Sequence, residues 1–254
     1  MKGEMELKSA EEVISIFEKQ ILSGEDIYFR GYTNYKTHMK PRLGRDTCDE
    51  FQLLNNYYQS HKKNKFSECI DVIEHAQHHQ IQTRLLDWSE SPLVALYFAN
   101  ARSVGSNNKK TYVAKINTKF PNFKDISEIS IPLVGIDCLV FADIDNLKLH
   151  ELETYCLRSN AHFFSSIGFK HLYDKFISSI PDDIHLVKRH TKKMINIRKY
   201  LQKGLFTFHK DVRKPFNKKY FCEYCLDLSN SERKLLIDKL SDIYDVNEES
   251  LGLS

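Results

Sequence analysis

The 254-residue chain has no apolar run near the ~20 residues of a membrane-crossing helix. Its opening residues, Met1-Lys2-Gly3-Glu4, lack the apolar core of a secretory signal. Together these absences set the expectation of a cytoplasmic protein with no membrane partner. There is no GxxxxGK[ST] loop and no GxGxxG turn, which removes the two best-known backbone cradles for phosphate. There is no GxSxG elbow, so a Ser-His-acid hydrolase has no sequence support. Charge of one sign is not in excess: 37 basic against 34 acidic residues leave a net +3, too balanced to demand a nucleic-acid partner, though local patches remain open. Internal repeats, low-complexity tracts and flexible linkers are absent, which predicts a single domain over 1–254. The six cysteines are scattered through the chain, as expected of reduced thiols, several of them buried.

Aromatic residues are plentiful, 16 Phe and 13 Tyr, and supply the bulk of a well-packed interior. Ser9-Ala10-Glu11-Glu12 reads as a capping box, and Val13, Ile14, Phe17 and Ile21 continue it as an amphipathic helix over 10–22. Residues 27–30 read as a short strand from which Gly31 lets the chain turn away. A basic, polar loop is expected over 32–46, then helices near 47–60 and 67–79. Thr83–Trp88 reads as extended, and Ser89–Arg102 as a helix with Pro92 in its first turn. Further strands are expected at 111–116, 138–141, 205–209 and 220–228, a mostly helical stretch at 147–203 and a closing helix at 231–244. The fold class is therefore α+β: a small mixed or antiparallel sheet, flanking helices and a helical insertion near 147–200.

Residues 76–99 press polar chemistry against core. On an extended 83–88, Thr83, Leu85 and Asp87 share one face, and Arg84, Leu86 and Trp88 the other. Thr83 and Asp87 can then project beside Arg30, whose planar fork suits phosphate or carboxylate. The structural alternative is that Arg30 pairs with a buried acid such as Asp87. Asp87 or Ser89 can equally serve as the N-cap of the next helix, and Trp88 reads as core before ligand platform. Gly31 opens the backbone to a ligand. Gln202 can hydrogen-bond a ligand amide or ribose, while Gly204 reads equally as a helix C-cap. His75, His78 and His79 recur at i, i+3 and i+4, but with one lone CxxC, Cys222–Cys225, the spacing does not specify a zinc site and no metal is assigned. An imidazole such as His78 can act as acid or base near neutrality. The basic run 188–199 reads as a solvated helix face, with a polyanion role as the alternative.

Three segments resemble the FRG domain. Phe29-Arg30-Gly31 matches the tripeptide that names the family. Gln77, His78, Thr83-Arg84-Leu85-Leu86-Asp87-Trp88, Ser89, Pro92, Ala95-Leu96, Phe98 and Ala99 match its second signature, with Gln80 where Gly is usual and Gln82 where Pro is usual. Arg198, Gln202, Gly204 and Phe206 match a third. The resemblance runs over about 25–250. The segment order is also similar to that of ADP-ribosyltransferases, in which the Arg holds NAD phosphate or ribose; Gln202 stands where those enzymes carry a Glu, and an amide cannot supply that charge. These resemblances imply an NAD-consuming transferase or glycohydrolase acting on a nucleotide-like ligand, as an effector in bacterial or phage conflict. In that reading His78 and Asp87 are catalytic, and Arg30, Gly31, Thr83, Arg84, Ser89 and Gln202 bind ligand. The other reading is a non-catalytic module for a protein or nucleic-acid partner.

Overall fold

The computed structural model describes residues 5–21, 26–61, 66, 69–105, 110–119, 123–126, 170, 173–178, 180, 185–189 and 204–251. These residues form an α+β structure. The strands are Met5–Leu7 (β1), Ile27–Tyr32 (β2), Leu85–Ser89 (β3), Lys110–Asn117 (β4), Phe123–Asp125 (β5), His185–Arg189 (β6), Gly204–Phe208 (β7) and Cys222–Asp227 (β8). They build one mixed sheet in the order β1-β8-β4-β2-β3-β7-β6-β5. The helices are Ala10–Ile21 (α1), Tyr35–His38 (α2), Glu50–Ser60 (α3), Cys69–His78 (α4), Pro92–Asn100 (α5) and Asn230–Tyr244 (α6).

The chain divides into two compact units, one drawn from 1–41, 86–125 and 185–254, the other from 42–85 and 126–184. In the first, the pleat of the sheet sorts two cores. Phe29 of β2 joins Phe17 of α1, Leu96 of α5 and Leu236 of α6 in one cluster. Tyr28 and Tyr32, of opposite parity, join Leu86, Trp88, Ala114 and Phe216 in another. Gly31 follows the parity of Phe29: a Cβ there would lie 1.9 Å from the Ala95 carbonyl oxygen and 2.6 Å from the Ala99 nitrogen. Helix α5 therefore rests its backbone on β2. The strand does not turn away at Gly31 but runs on to Tyr32, paired with Tyr112 of β4.

Caps fix the helix starts. The Ser9 hydroxyl accepts from the Glu12 amide at 3.2 Å, and the Glu12 carboxylate reaches back to the Lys8 amide, one residue earlier than a strict capping box. Helix α6 starts at Ser229, which accepts from the Glu232 amide. Neither Asp87 nor Ser89 caps α5. Ser91 does, accepting from Val94 at 3.3 Å with Pro92 at the first helical position. Asp87 and Ser89 are taken up in β3, whereas Ser91 stands directly before the proline, with an extended backbone and its hydroxyl in reach of the Val94 amide.

Of 147–200, residues 173–178 are helical and His185–Arg189 form β6, paired antiparallel with β7 where a mostly helical pattern was expected. Cross-strand pairing overrides a short local pattern of this kind. The rest of the expected insertion, and the expected strand at 138–141, lie outside the described residues. Among the described residues no helix is long and apolar enough to cross a membrane.

Candidate functional site

The signature segments fall on three neighbouring strands. Phe29-Arg30-Gly31 lies on β2, Leu85–Ser89 is β3, and Gly204 with Phe206 lies on β7; β3 is seated between the other two. Gln202 lies outside the described residues.

Arg30 is half-buried and makes three hydrogen bonds to backbone. Nε and Nη2 donate to the His38 carbonyl at 3.3 and 3.0 Å, and Nη1 donates to the Asp87 carbonyl. The guanidinium thus ties the end of α2 to β3. The His38 ring completes the clasp: its Nδ1 lies 3.2 Å from the Thr33 amide, 3.3 Å from the Asn34 amide and 3.0 Å from the Thr33 hydroxyl. Asp87 is exposed, between the buried Leu86 and Trp88. Ser89 is buried, sits opposite Phe29 in the β2–β3 pair and accepts from the Ser91 amide at 3.1 Å. Trp88 is core, as read from the sequence: its indole donates to the Thr207 hydroxyl at 3.0 Å, and Thr207 lies 3.1 Å from His209 Nε2.

The remaining candidates belong to the second unit. Thr83 is fully buried; its hydroxyl donates to the Gln77 side chain and accepts from the Leu85 amide at 3.2 Å. Arg84 is 7% exposed and grips the Glu50 carboxylate with Nε, at 2.9 Å, and Nη2. Its Nε also reaches the Tyr173 hydroxyl at 3.3 Å. Burial, reinforced by the Glu50 carboxylate, pushes the Tyr173 phenol well above its ordinary range, so it stays neutral. A buried arginine–carboxylate pair, read for Arg30, is therefore realised at Arg84. Nothing in the sequence marks Glu50 as its partner: it follows the Asp49 cap as an ordinary first-turn acid.

His78 ends α4 and is half-buried. Its neighbours His75 and His79 instead pack with Tyr57 and His61. Ring centroids are 4.2 Å apart for Tyr57–His61 and 4.8 Å for His75–His79, and the Tyr57 hydroxyl hydrogen-bonds His75 Nδ1. Burial lifts the Tyr57 phenol to about 12. Among the described residues no three ligating side chains are arranged to hold a metal ion. Among the described residues Cys48, Cys69, Cys222 and Cys225 are not joined in disulfides.

The departure at Gln80 has a visible consequence. Gln80 takes a left-handed φ of 62°, with its amide on the Gln77 carbonyl and the Ile81 amide on the Ala76 carbonyl. That is a Schellman ending to α4, and glycine is the residue that adopts it without strain.

An α+β protein whose three signature segments occupy adjacent strands thus defines the class. Residues 25–108 match the family model of the FRG domain, and the chain carries an FRG domain over that segment. No curated protein and no solved structure matches the chain.

Proposed function

We propose that the FRG domain of this chain is a non-catalytic, cytoplasmic binding module for a macromolecular partner, and that its signature polar residues build the scaffold. The observation that carries this reading is the bonding of Arg30 to the His38 and Asp87 carbonyls. A phosphate-binding arginine holds its fork toward solvent or a cavity; this one crosslinks backbone. Thr83 and Arg84 support the same reading, each buried and hydrogen-bonded within its own unit.

A second reading rests on the adjacency of β2, β3 and β7. There the protein consumes NAD as a transferase or glycohydrolase and serves as an effector in bacterial or phage conflict. Asp87 and His78 act on the reacting bond, and Arg30, Gly31, Thr83, Arg84, Ser89 and Gln202 hold the nucleotide. Arg30 would then have to release the His38 carbonyl as the ligand enters. Incubation of the protein with NAD and cell lysate, followed by mass spectrometry of small molecules and proteins, separates the two. The module reading expects no NAD consumed and no protein modified. Turnover that is lost in Asp87→Asn with ligand affinity kept would establish the enzyme instead.

A further inference from the structure

The sheet unit brings two distant segments, 33–40 and 209–221, onto one surface. The Tyr35 hydroxyl donates to the Phe216 carbonyl at 2.9 Å, and the Phe216 amide donates to the Met39 carbonyl at 2.7 Å. Phe216 is buried beneath them in the core that also holds Trp88 and Tyr28. Tyr35, Tyr220 and Phe221 pack against that core and remain half-exposed. They form an aromatic floor at the surface.

Beside this floor the charge is predominantly basic. Lys36, Arg213, Lys214, Lys218 and Lys219 are all exposed. Asp211 meets Lys214 at 3.0 Å and Glu223 meets Lys218 at 3.1 Å, which offsets two of the five. Lys36, Arg213 and Lys219 form no ion pair among the described residues. The rings hold lysines in place: the Lys218 ammonium lies 4.8 Å from the Tyr35 ring centroid, and the Lys219 ammonium 4.6 Å from that of Tyr220. Among the described residues Lys219 therefore lies over an aromatic face with no acid on it, and Lys218 is shared between the Tyr35 ring and Glu223. None of these residues belongs to an FRG signature.

We propose that this surface binds single-stranded nucleic acid, an inference that rests on the binding-module reading and names its partner. Cations set beside accessible rings suit a strand whose bases are unpaired: the phosphates take the ammonium and guanidinium groups, and a base takes the ring face the lysine leaves. A duplex buries its base faces and can use only the charges. The chain's near-neutral total, +3, keeps this a local property of the patch and not a diffuse one.

The test uses the full chain with fluorescently labelled oligo-uridine, oligo-deoxythymidine and a mixed-sequence duplex, read by anisotropy across a salt series. Both single strands are expected to bind, more tightly than the duplex. The combined variant Lys36→Ala, Arg213→Ala, Lys219→Ala is expected to weaken binding by about tenfold or more and to flatten the log–log salt slope by about two, since each lost phosphate contact removes roughly 0.7. Tyr220→Leu should weaken the single strands and leave the duplex unchanged; its thermal midpoint, measured alongside, confirms folding. A preference for uridine over deoxythymidine assigns the partner to RNA, the reverse to DNA, and either supports the proposal. Absence of binding at low salt, binding indifferent to the triple variant, or equal affinity for duplex overturns it. NAD consumption is followed in the same samples. Turnover with strand binding intact defeats the module reading alone, and no turnover with no strand binding defeats this inference alone.

Discussion

Two signature arginines, one in each unit, are held by different means: Arg30 by backbone carbonyls, Arg84 by a buried carboxylate. In the sheet unit, which buries two apolar clusters, one on each face, Arg30 ties to the His38 and Asp87 carbonyls, and the fully buried Arg233 reaches the Ser103 carbonyl at 3.1 Å as well as the Asn100 side chain. The second unit relies on side chains meeting side chains: Arg84 with Glu50 and Tyr173, Thr83 with Gln77, Tyr57 with His75. The FRG match covers parts of both. One family match thus holds one arginine by backbone and another by a buried carboxylate. Backbone partners impose geometry and tolerate neighbouring substitutions, whereas a buried ion pair fails when either partner goes.

That contrast predicts unequal sensitivity. The largest effect is expected from Arg84→Met, which leaves the Glu50 carboxylate buried without its cation and should cost about 3–5 kcal/mol in chemical denaturation. The double variant Arg84→Met, Glu50→Leu should recover much of it; no recovery would mean that the pair does not carry this interior. In the sheet unit, Gly31→Ala drives a methyl into the α5 backbone and should cost about 3 kcal/mol, in the upper range for overpacking. A smaller change of opposite sign is expected from Gln80→Gly, which relieves the left-handed φ and should raise stability by about 1 kcal/mol. Smallest near neutrality is Tyr57→Phe, which acts in alkali. Burial raises the folded phenol to about 12, above the roughly 10 of an exposed tyrosine. The stability it contributes is fully present below pH ~10 and is lost as pH rises through its folded value. Tyr57→Phe should make the decline between about pH 10 and 12 shallower, as read from denaturation midpoints; an unaltered decline would remove Tyr57 from the account.

Much of the fold was readable because its signals are local. Ser9 with Glu12, Pro92 in the first turn of its helix, and the short run 27–30 each encode their element within a few residues, although the strand continues past Gly31 to Tyr32. The site was less readable because its partners are not local. Glu50 and Arg84 stand 34 positions apart, and no property of either residue type announces the pairing. The acceptors of Arg30 are carbonyls, which every residue carries, so the sequence pointed to the Asp87 carboxylate where the structure uses the Asp87 backbone. Gly31 was legible as a close approach, but what approaches is helix α5.

The claim that the signature polar groups build the scaffold is tested most directly at Arg30. Thermal and chemical unfolding of Arg30→Lys, beside wild type and without added ligand, reads the contribution of its three backbone bonds. An ammonium keeps the charge but cannot span the His38 and Asp87 carbonyls with a planar fork. The account predicts a loss of about 1–3 kcal/mol. That is a fall of about 2–4 °C in midpoint for each kcal/mol in a chain of this size. An unchanged midpoint would contradict it and return Arg30 to the role of a ligand-binding arginine.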